Sequence, residues 1–170
     1  MGSHVSSPPD TRDVLDAIRR IVHALRESSR QAEQHTGLSG AQLFVLQKLA
    51  EAAPASVNDL AARTHTHQSS VSTVVARLVA ARLVTRTRSA TDRRSVQLAL
   101  TPAGRRLIER APDVAQERLV RAIDSLPSRR RQALASTLGA LADALALVGK
   151  APAMFFEDAS RRKRQGTGRG

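Results

Sequence analysis

The chain has no cysteine, no tryptophan and no tyrosine, and only three phenylalanines. Without a thiol there is no disulfide framework, no thiolate metal site and no cysteine redox switch. Without tryptophan or tyrosine, a pocket that stacks an aromatic ligand is hard to build. No run approaches the roughly 18 apolar residues of a membrane-spanning helix, and the first residues lack a signal-peptide core. No membrane partner is therefore expected, and the cytoplasm is the expected location. The nine glycines form no phosphate-cradling loop. Ser69, Ser70 and Ser72 have histidines near them, but neither an elbow-glycine motif nor an oriented acid accompanies them. The expectation is a protein that is not an enzyme and carries no cofactor.

Carboxylates are scarce too. Fifteen acidic residues face 27 lysines and arginines, a formal net charge of +12 and a sequence pI of about 11.7. Such a balance points to a polyanionic partner. Solubility or a charged tail would account for the basic C-terminus, but not for arginines clustered at Arg86, Arg88, Arg93 and Arg94. Arginine outnumbers lysine and alanine is abundant, which hints at a high-GC bacterial gene. At 170 residues the chain suits one domain, or a compact domain with a helical lobe.

The most informative stretch runs from Ser56 to Gly104. Ser56 with Asp59 three residues on is a capping-box-like helix start, with Val57, Leu60 and Ala61 turned inward. Thr64-His65-Thr66 reads as a turn, with Thr66 the expected N-cap of the next helix. That helix carries Val71, Val74, Val75 and Leu78 at helical spacing, one apolar stripe. Its other face shows Gln68, Ser69, Ser72, Thr73 and Ala76, with Arg77 beside them. Small donors and acceptors of this kind suit a helix that approaches base edges in the major groove. Residues 84–88 and 96–100 are rich in β-formers, and Val96, Leu98 and Leu100 alternate. Between them lies a polar loop, Ser89 to Ser95. Thr101 as N-cap and Pro102 at the first helical position restart a helix. Helix, turn, helix and hairpin make the plan of a winged helix-turn-helix.

With these residues in place, the segment resembles the MarR family of bacterial transcription regulators. The matching pieces are DLAART, SSVSTVVARLVAARLV, DRRS in the wing, and LTPAG after it. Asp92 with Arg94, and Leu100-Thr101 with Gly104, are the more specific parts, and their order strengthens the match. One departure stands out: Arg82 occupies the place, just before the first wing strand, where the family usually has a glycine. The resemblance implies a homodimer with interlocked terminal helices and two wings, acting as a ligand-responsive repressor on a pseudo-palindromic operator. It also implies Arg94 as the wing residue inserted into the minor groove. The family often binds small anionic aromatic effectors between the dimer lobe and the winged unit. In this chain Arg19, His23, Arg26 and Phe44 are the candidate pocket residues, although surface solvation also accounts for the three basic ones.

The remainder is read in order. Met1-Gly2-Ser3-His4 has the look of a tag remnant, and residues 1–10 are expected to be mobile. A helix from Thr11 to about Glu33 places Val14, Ile18, Ile21 and Leu25 at four-three-four spacing, with Thr36-Gly37 ending it. Ser39 with Gln42 is a second capping box, opening a helix from Ala41 that carries Phe44, Leu46 and Leu49 and stops before Pro54. After Pro102 the helical pattern continues past Leu107, Ile108, Val114, Leu119 and Ile123, with Pro112 a kink or break. A last helix, about Arg129 to Val148, sets Leu134, Leu138, Leu141, Leu145 and Val148 in a narrow seam. Burial within one subunit and a dimer seam fit this pattern equally, and a similar seam at the other terminus favours pairing. The expected organisation is therefore a mainly α fold, with dimerisation helices at 11–37 and 105–150. The winged unit takes 38–104, and a basic disordered tail takes 157–170. That tail either attracts phosphates non-specifically or is a solvated end.

In the recognition helix Gln68, Ser69, Ser72 and Thr73 are the candidates for base contact, with His67, Ser70 and Arg77 nearer phosphates. In the wing, Arg86, Arg88, Arg93 and Arg94 are candidates for backbone or minor-groove contact, with Asp92 orienting an arginine. His65 and His67 with His23 and His35 suggest a metal site only weakly, since no acidic or cysteine ligand stands near; none is expected. The main alternative function is an architectural protein that binds DNA without sequence preference. A winged module that binds only protein is a third.

Overall fold

The computed structural model describes residues 9–88, 96–145 and 154–155. Among these residues the elements are α1 (Pro9–Thr36), α2 (Gly40–Glu51), α3 (Val57–Arg63), α4 (Gln68–Ala80), β1 (Val84–Arg88), β2 (Val96–Leu100), α5 (Pro102–Ile108), α6 (Ala115–Asp124) and α7 (Ser128–Ala144). The fold is mainly α with one antiparallel two-stranded ribbon, in which Val84 pairs with Leu100 and Arg88 with Val96.

The middle of the molecule is α2. Leu43, Phe44, Val45, Leu46 and Leu49 are all fully buried, because this helix is apolar around its circumference rather than along one stripe. Each such side chain contributes roughly 1.5–3 kcal/mol on burial. Leu60 of α3, the four stripe residues of α4 and Leu98 of β2 close around it as one core. Both sequence-read capping boxes form. The Ser39 hydroxyl accepts from the Gln42 amide and the Gln42 side chain from the Ser39 amide, and Ser56 and Asp59 do the same at α3.

Two adjacent serines of α1 close the ends of other helices. The Ser28 hydroxyl accepts from the Ala115 amide at the start of α6 at 2.8 Å, and the Ser29 hydroxyl from the Gly40 amide at the start of α2 at 3.2 Å. Val114, at the N-cap of α6, makes no side-chain cap of its own, so Ser28 supplies the missing acceptor. The same junction carries Lys48 of α2, whose ammonium reaches Glu117 of α6 at 2.7 Å and Glu51 at 3.0 Å. Burial lowers the Lys48 pKa, but the hydrogen bonds and charges of the two glutamates more than reverse this and hold it above its ordinary value.

Several boundaries differ from the sequence reading. Helix α1 begins at Pro9, inside the stretch expected to be mobile. Thr66 does not cap α4; its hydroxyl donates to the Thr64 carbonyl, and His67 stands at the N-cap with no side-chain bond. Pro112 marks a true break between α5 and α6 rather than a kink. The Pro ring fixes φ and removes a donor, so the helix restarts only where Ser28 can satisfy its first amides. Ala55, between α2 and α3, forms a bridge with Leu98. Residue Val148, placed at the end of the last helix, lies outside the described residues.

Candidate nucleic-acid interface

The interface is built on the exits of α3 and α4, which share one geometry. At the end of α3, His65 takes a φ of 50°, its amide donates to the Ala62 carbonyl and the Thr66 amide to the Ala61 carbonyl. At the end of α4, Arg82 takes a φ of 58°, with Arg82 donating to Val79 and Leu83 to Leu78. Both are Schellman endings, in which a left-handed residue turns the chain sharply and satisfies two terminal carbonyls. The first sets the turn between α3 and α4, and the second aims the wing. The glycine missing at Arg82 is thus missing in residue type only; the backbone conformation is kept.

Two residues of LTPAG, Thr101 and Gly104, hold that second corner. The Thr101 amide donates to the Leu83 carbonyl at 3.0 Å, and its hydroxyl donates to the Arg82 carbonyl at 2.9 Å. The same hydroxyl accepts from the Gly104 amide, capping α5. Gly104 is buried directly against the Leu83 carbonyl, which leaves no room for a side chain. One threonine therefore ends the ribbon, starts α5 and fixes the angle of the wing to α4.

Helix α4 is buried along Val71, Val74, Val75 and Leu78. Its outward face carries Gln68, Ser69 and Thr73, all exposed, with Ser72 and Arg77 half-buried at the edges. The Thr73 hydroxyl donates back to the Ser69 carbonyl at 3.1 Å. Exposed His67 stands at the N-terminal end of the same face. Ser70 does not join it. It is buried, since it precedes Val74 and Leu78 by one and two turns and lies on the apolar stripe. In the wing, Arg86 and Arg88 are exposed on β1, two apart and so on one face of the ribbon. Asp92, Arg93 and Arg94 lie outside the described residues.

The candidate effector residues are not brought together. Phe44 is a core residue with no exposed surface, its ring 5.9 Å from the Lys48 ammonium, and so lines no cleft. It faces inward because the whole circumference of α2 does. Arg19, His23 and Arg26 are exposed on α1, where Arg19 pairs with Asp16 at 2.6 Å. A cleft of about 340 Å³ does exist elsewhere, between the α3–α4 turn and α6. His65, His67 and Gln116 give it polar groups, while Leu119, Ile123 and Phe155 give it apolar walls. The signal for it in the sequence was the half-buried stripe Leu119 and Ile123, read only as helical periodicity.

The seam residues are mostly outward. Val14, Ile21, Leu134, Leu138, Leu141 and Leu145 are between 38% and 61% exposed, and no residue of α7 is buried. Leu25 departs from this pattern. It is buried within the subunit, on the half of α1 that carries Ser28, Ser29 and Ala32 into the core. Among the described residues no group of three His, Cys, Asp or Glu is placed to hold a metal ion, and no helix is long and apolar enough to cross a membrane.

This arrangement is a winged helix-turn-helix. Residues 36–95 match the model of the MarR family. Among solved structures, BpsR of Bordetella bronchiseptica is 26% identical, with a TM-score of 0.52 over 84% of this chain and 99% of that one. A probable transcriptional regulator from Pseudomonas aeruginosa is also 26% identical, with a TM-score of 0.52 over 77% and 98%. MepR of S. aureus in its complex with DNA shares the fold at 21% identity, with a TM-score of 0.53 over 76% and 95%. No curated protein matches in sequence. Over residues 36–95 the chain is similar to the MarR family.

Proposed function

We propose that this chain is a cytoplasmic, sequence-specific DNA-binding repressor that acts as a homodimer on a pseudo-palindromic operator. The observation that carries the reading is the division of α4. One side is sealed into the core, and the other presents Gln68, Ser69, Ser72 and Thr73, short enough to reach base edges, without a carboxylate among them. His67 and Arg77 flank this face and serve phosphates. The wing arginines Arg86, Arg88, Arg93 and Arg94 take the neighbouring minor groove, with Asp92 holding one guanidinium in place. The open apolar seams of α1 and α7 support a dimer lobe built from 11–37 and 105–150 around the winged unit, 38–104.

Effector response belongs to the same proposal. DNA binding by BpsR is regulated by 6-hydroxynicotinic acid. In this chain the cleft beside the α3–α4 turn has apolar walls and two histidines, which suits a small acidic ring compound. A ligand there would bear on His67, the first residue of the α4 face, and so alter how that face meets DNA.

Selection of bound fragments from random DNA tests the reading. The expected result is a two-fold symmetric site with half-sites about one helical turn apart. Its affinity should exceed that for scrambled DNA by about 10³ or more at physiological salt. The net charge of +12 favours a second reading, an architectural protein indifferent to sequence. Equal enrichment of all fragments would establish that reading instead.

A further inference from the structure

The corner that joins α4 to the wing is made by an arginine in a backbone conformation that favours glycine. Arg82 has a φ of 58°, a strained geometry for any residue with a Cβ, and glycine would turn there freely. Among the described residues His65 is the other non-glycine residue of positive φ. There the side chain has a partner within the fold, since its Nε2 lies 3.7 Å from the Asp124 carboxylate. Arg82 has no such partner. Its side chain is exposed, and among the described residues nothing accepts a hydrogen bond or ion pair from its guanidinium. Only its backbone serves the corner: the amide donates to the Val79 carbonyl, and the carbonyl accepts from the Thr101 hydroxyl. Strain that no side-chain contact in the fold offsets points to a side chain that acts outside it.

We infer that Arg82 binds a DNA phosphate on the backbone ridge between the major groove that α4 enters and the minor groove that the wing enters. The inference rests on the DNA-binding reading above and adds a contact residue to it. In a duplex, one sugar–phosphate backbone separates each major groove from the neighbouring minor groove. A chain that passes from a helix in the first to a strand in the second must cross that backbone. Here the crossing is short, because α4 ends at Ala80 and β1 begins at Val84. Of the three residues between them, Leu83 is buried and Ala81 has no polar side chain, which leaves Arg82 to meet the anion. Exposed residues lie on both sides of it, Thr73 and Ala76 on α4 and Arg86 and Arg88 on β1. A guanidinium suits a phosphate, since it keeps its charge and can donate two parallel N–H bonds. Thr101 and Gly104 hold the backbone beneath it, so the side chain starts from a fixed point and less freedom is lost on binding. Such a contact sets the register of helix and wing on the duplex and carries no base preference.

The experiment compares the full chain with Arg82→Gln, Arg82→Lys and Arg82→Gly by salt titration on the selected operator and on scrambled DNA. Each phosphate contact contributes about 0.9 to the slope of log affinity against log salt. Arg82→Gln should lose about 0.9 per subunit on both DNAs, which is about eightfold in affinity per subunit over a tenfold change in salt. Arg82→Lys should keep most of the slope, because the charge remains. Arg82→Gly should lose the slope yet unfold at a higher urea concentration than the parent, so that stability and DNA affinity move in opposite directions. Arg20→Gln removes an exposed charge from the first half of α1 and should leave the slope nearly unchanged. Neutral methylphosphonate links, placed singly along the operator, locate the contact. A link on the ridge between the major groove read by α4 and the minor groove of the wing should weaken the parent and leave Arg82→Gln unaffected. The inference is overturned by an Arg82→Gln protein with the parent's slope, or by an Arg20→Gln protein that loses as much. It is overturned too if no single link distinguishes parent from Arg82→Gln, or if Arg82→Gly is less stable than the parent. Failure of the parent to bind any DNA overturns the underlying function as well, and that outcome is distinct from a parent that binds DNA no better than Arg82→Gln.

Discussion

Gly104 is packed against the carbonyl of Leu83 so closely that a methyl group in its place would collide with that oxygen. The carbonyl cannot retreat, because it also accepts from the Thr101 amide and hydroxyl. Gly104→Ala should therefore push α5 away from the root of the wing and destabilise the fold. Overpacking of this kind costs about 1–3 kcal/mol. Urea unfolding followed by circular dichroism measures it; an unchanged midpoint would mean that the corner yields freely.

Arg82 and His65 hold left-handed conformations that cost an ordinary residue roughly 1–2 kcal/mol each, and glycine avoids this at the expense of chain entropy. Arg82→Gly should raise stability by up to about 1 kcal/mol, since the Schellman bonds do not involve the side chain. A fall in the unfolding midpoint would show that the Arg82 side chain stabilises the corner.

How much of this was legible in the sequence follows range. Ser39 with Gln42, Ser56 with Asp59, and Thr101 with Pro102 announce helix starts because cap and partner stand within three residues. The register of the ribbon follows from two five-residue runs joined by one polar loop. The seam and the α4 stripe are periodic, so they too were readable. What escaped depends on distant partners. Ser28 and Ser29 look like mid-helix polar residues until α6 and α2 arrive above them. Ala55 has no strand pattern, and its bridge exists only because Leu98 passes it. The resemblance points Phe44 toward a pocket, while the neighbours that bury it come from other helices. Ser70 resembles the serines around it in type, but its spacing to Val74 and Leu78 puts it on the buried stripe.

The proposed dimer seam gives a direct test. Leu138→Asp with Leu141→Asp changes two exposed side chains on a helix that buries nothing within its own subunit. In a monomer such a change is nearly neutral; in a dimer core it introduces uncompensated charge. Light scattering should report dissociation or loss of folded protein. A folded, stable dimer from the double variant would contradict the proposed seam.

Asp59 makes the fold sensitive to acid. The Ser56 amide at 2.8 Å, then the Ser56 hydroxyl, hold its carboxyl below the ordinary carboxylate value. A group whose pKa is lowered on folding contributes stability above its unfolded pKa, and that contribution disappears as the pH falls through the folded value. The parent should therefore lose stability on acidification below about pH 4 more steeply than Asp59→Asn. Parallel acid profiles for the two proteins would mean that the capping box contributes nothing measurable.

In the proposed function the exposed face of α4 reads sequence while the wing supplies phosphate and minor-groove contact. Salt titrations of the parent, Gln68→Ala and Arg94→Ala, on operator and scrambled DNA, test both halves at once. The parent should prefer its operator by about 10³ or more. Gln68→Ala should relax preference at one base position with its salt slope nearly unchanged. Arg94→Ala should lose about one unit of slope per subunit, together with discrimination at flanking A·T steps. A parent whose affinity is the same for operator and scrambled DNA, with Gln68→Ala indistinguishable from it, would contradict the account.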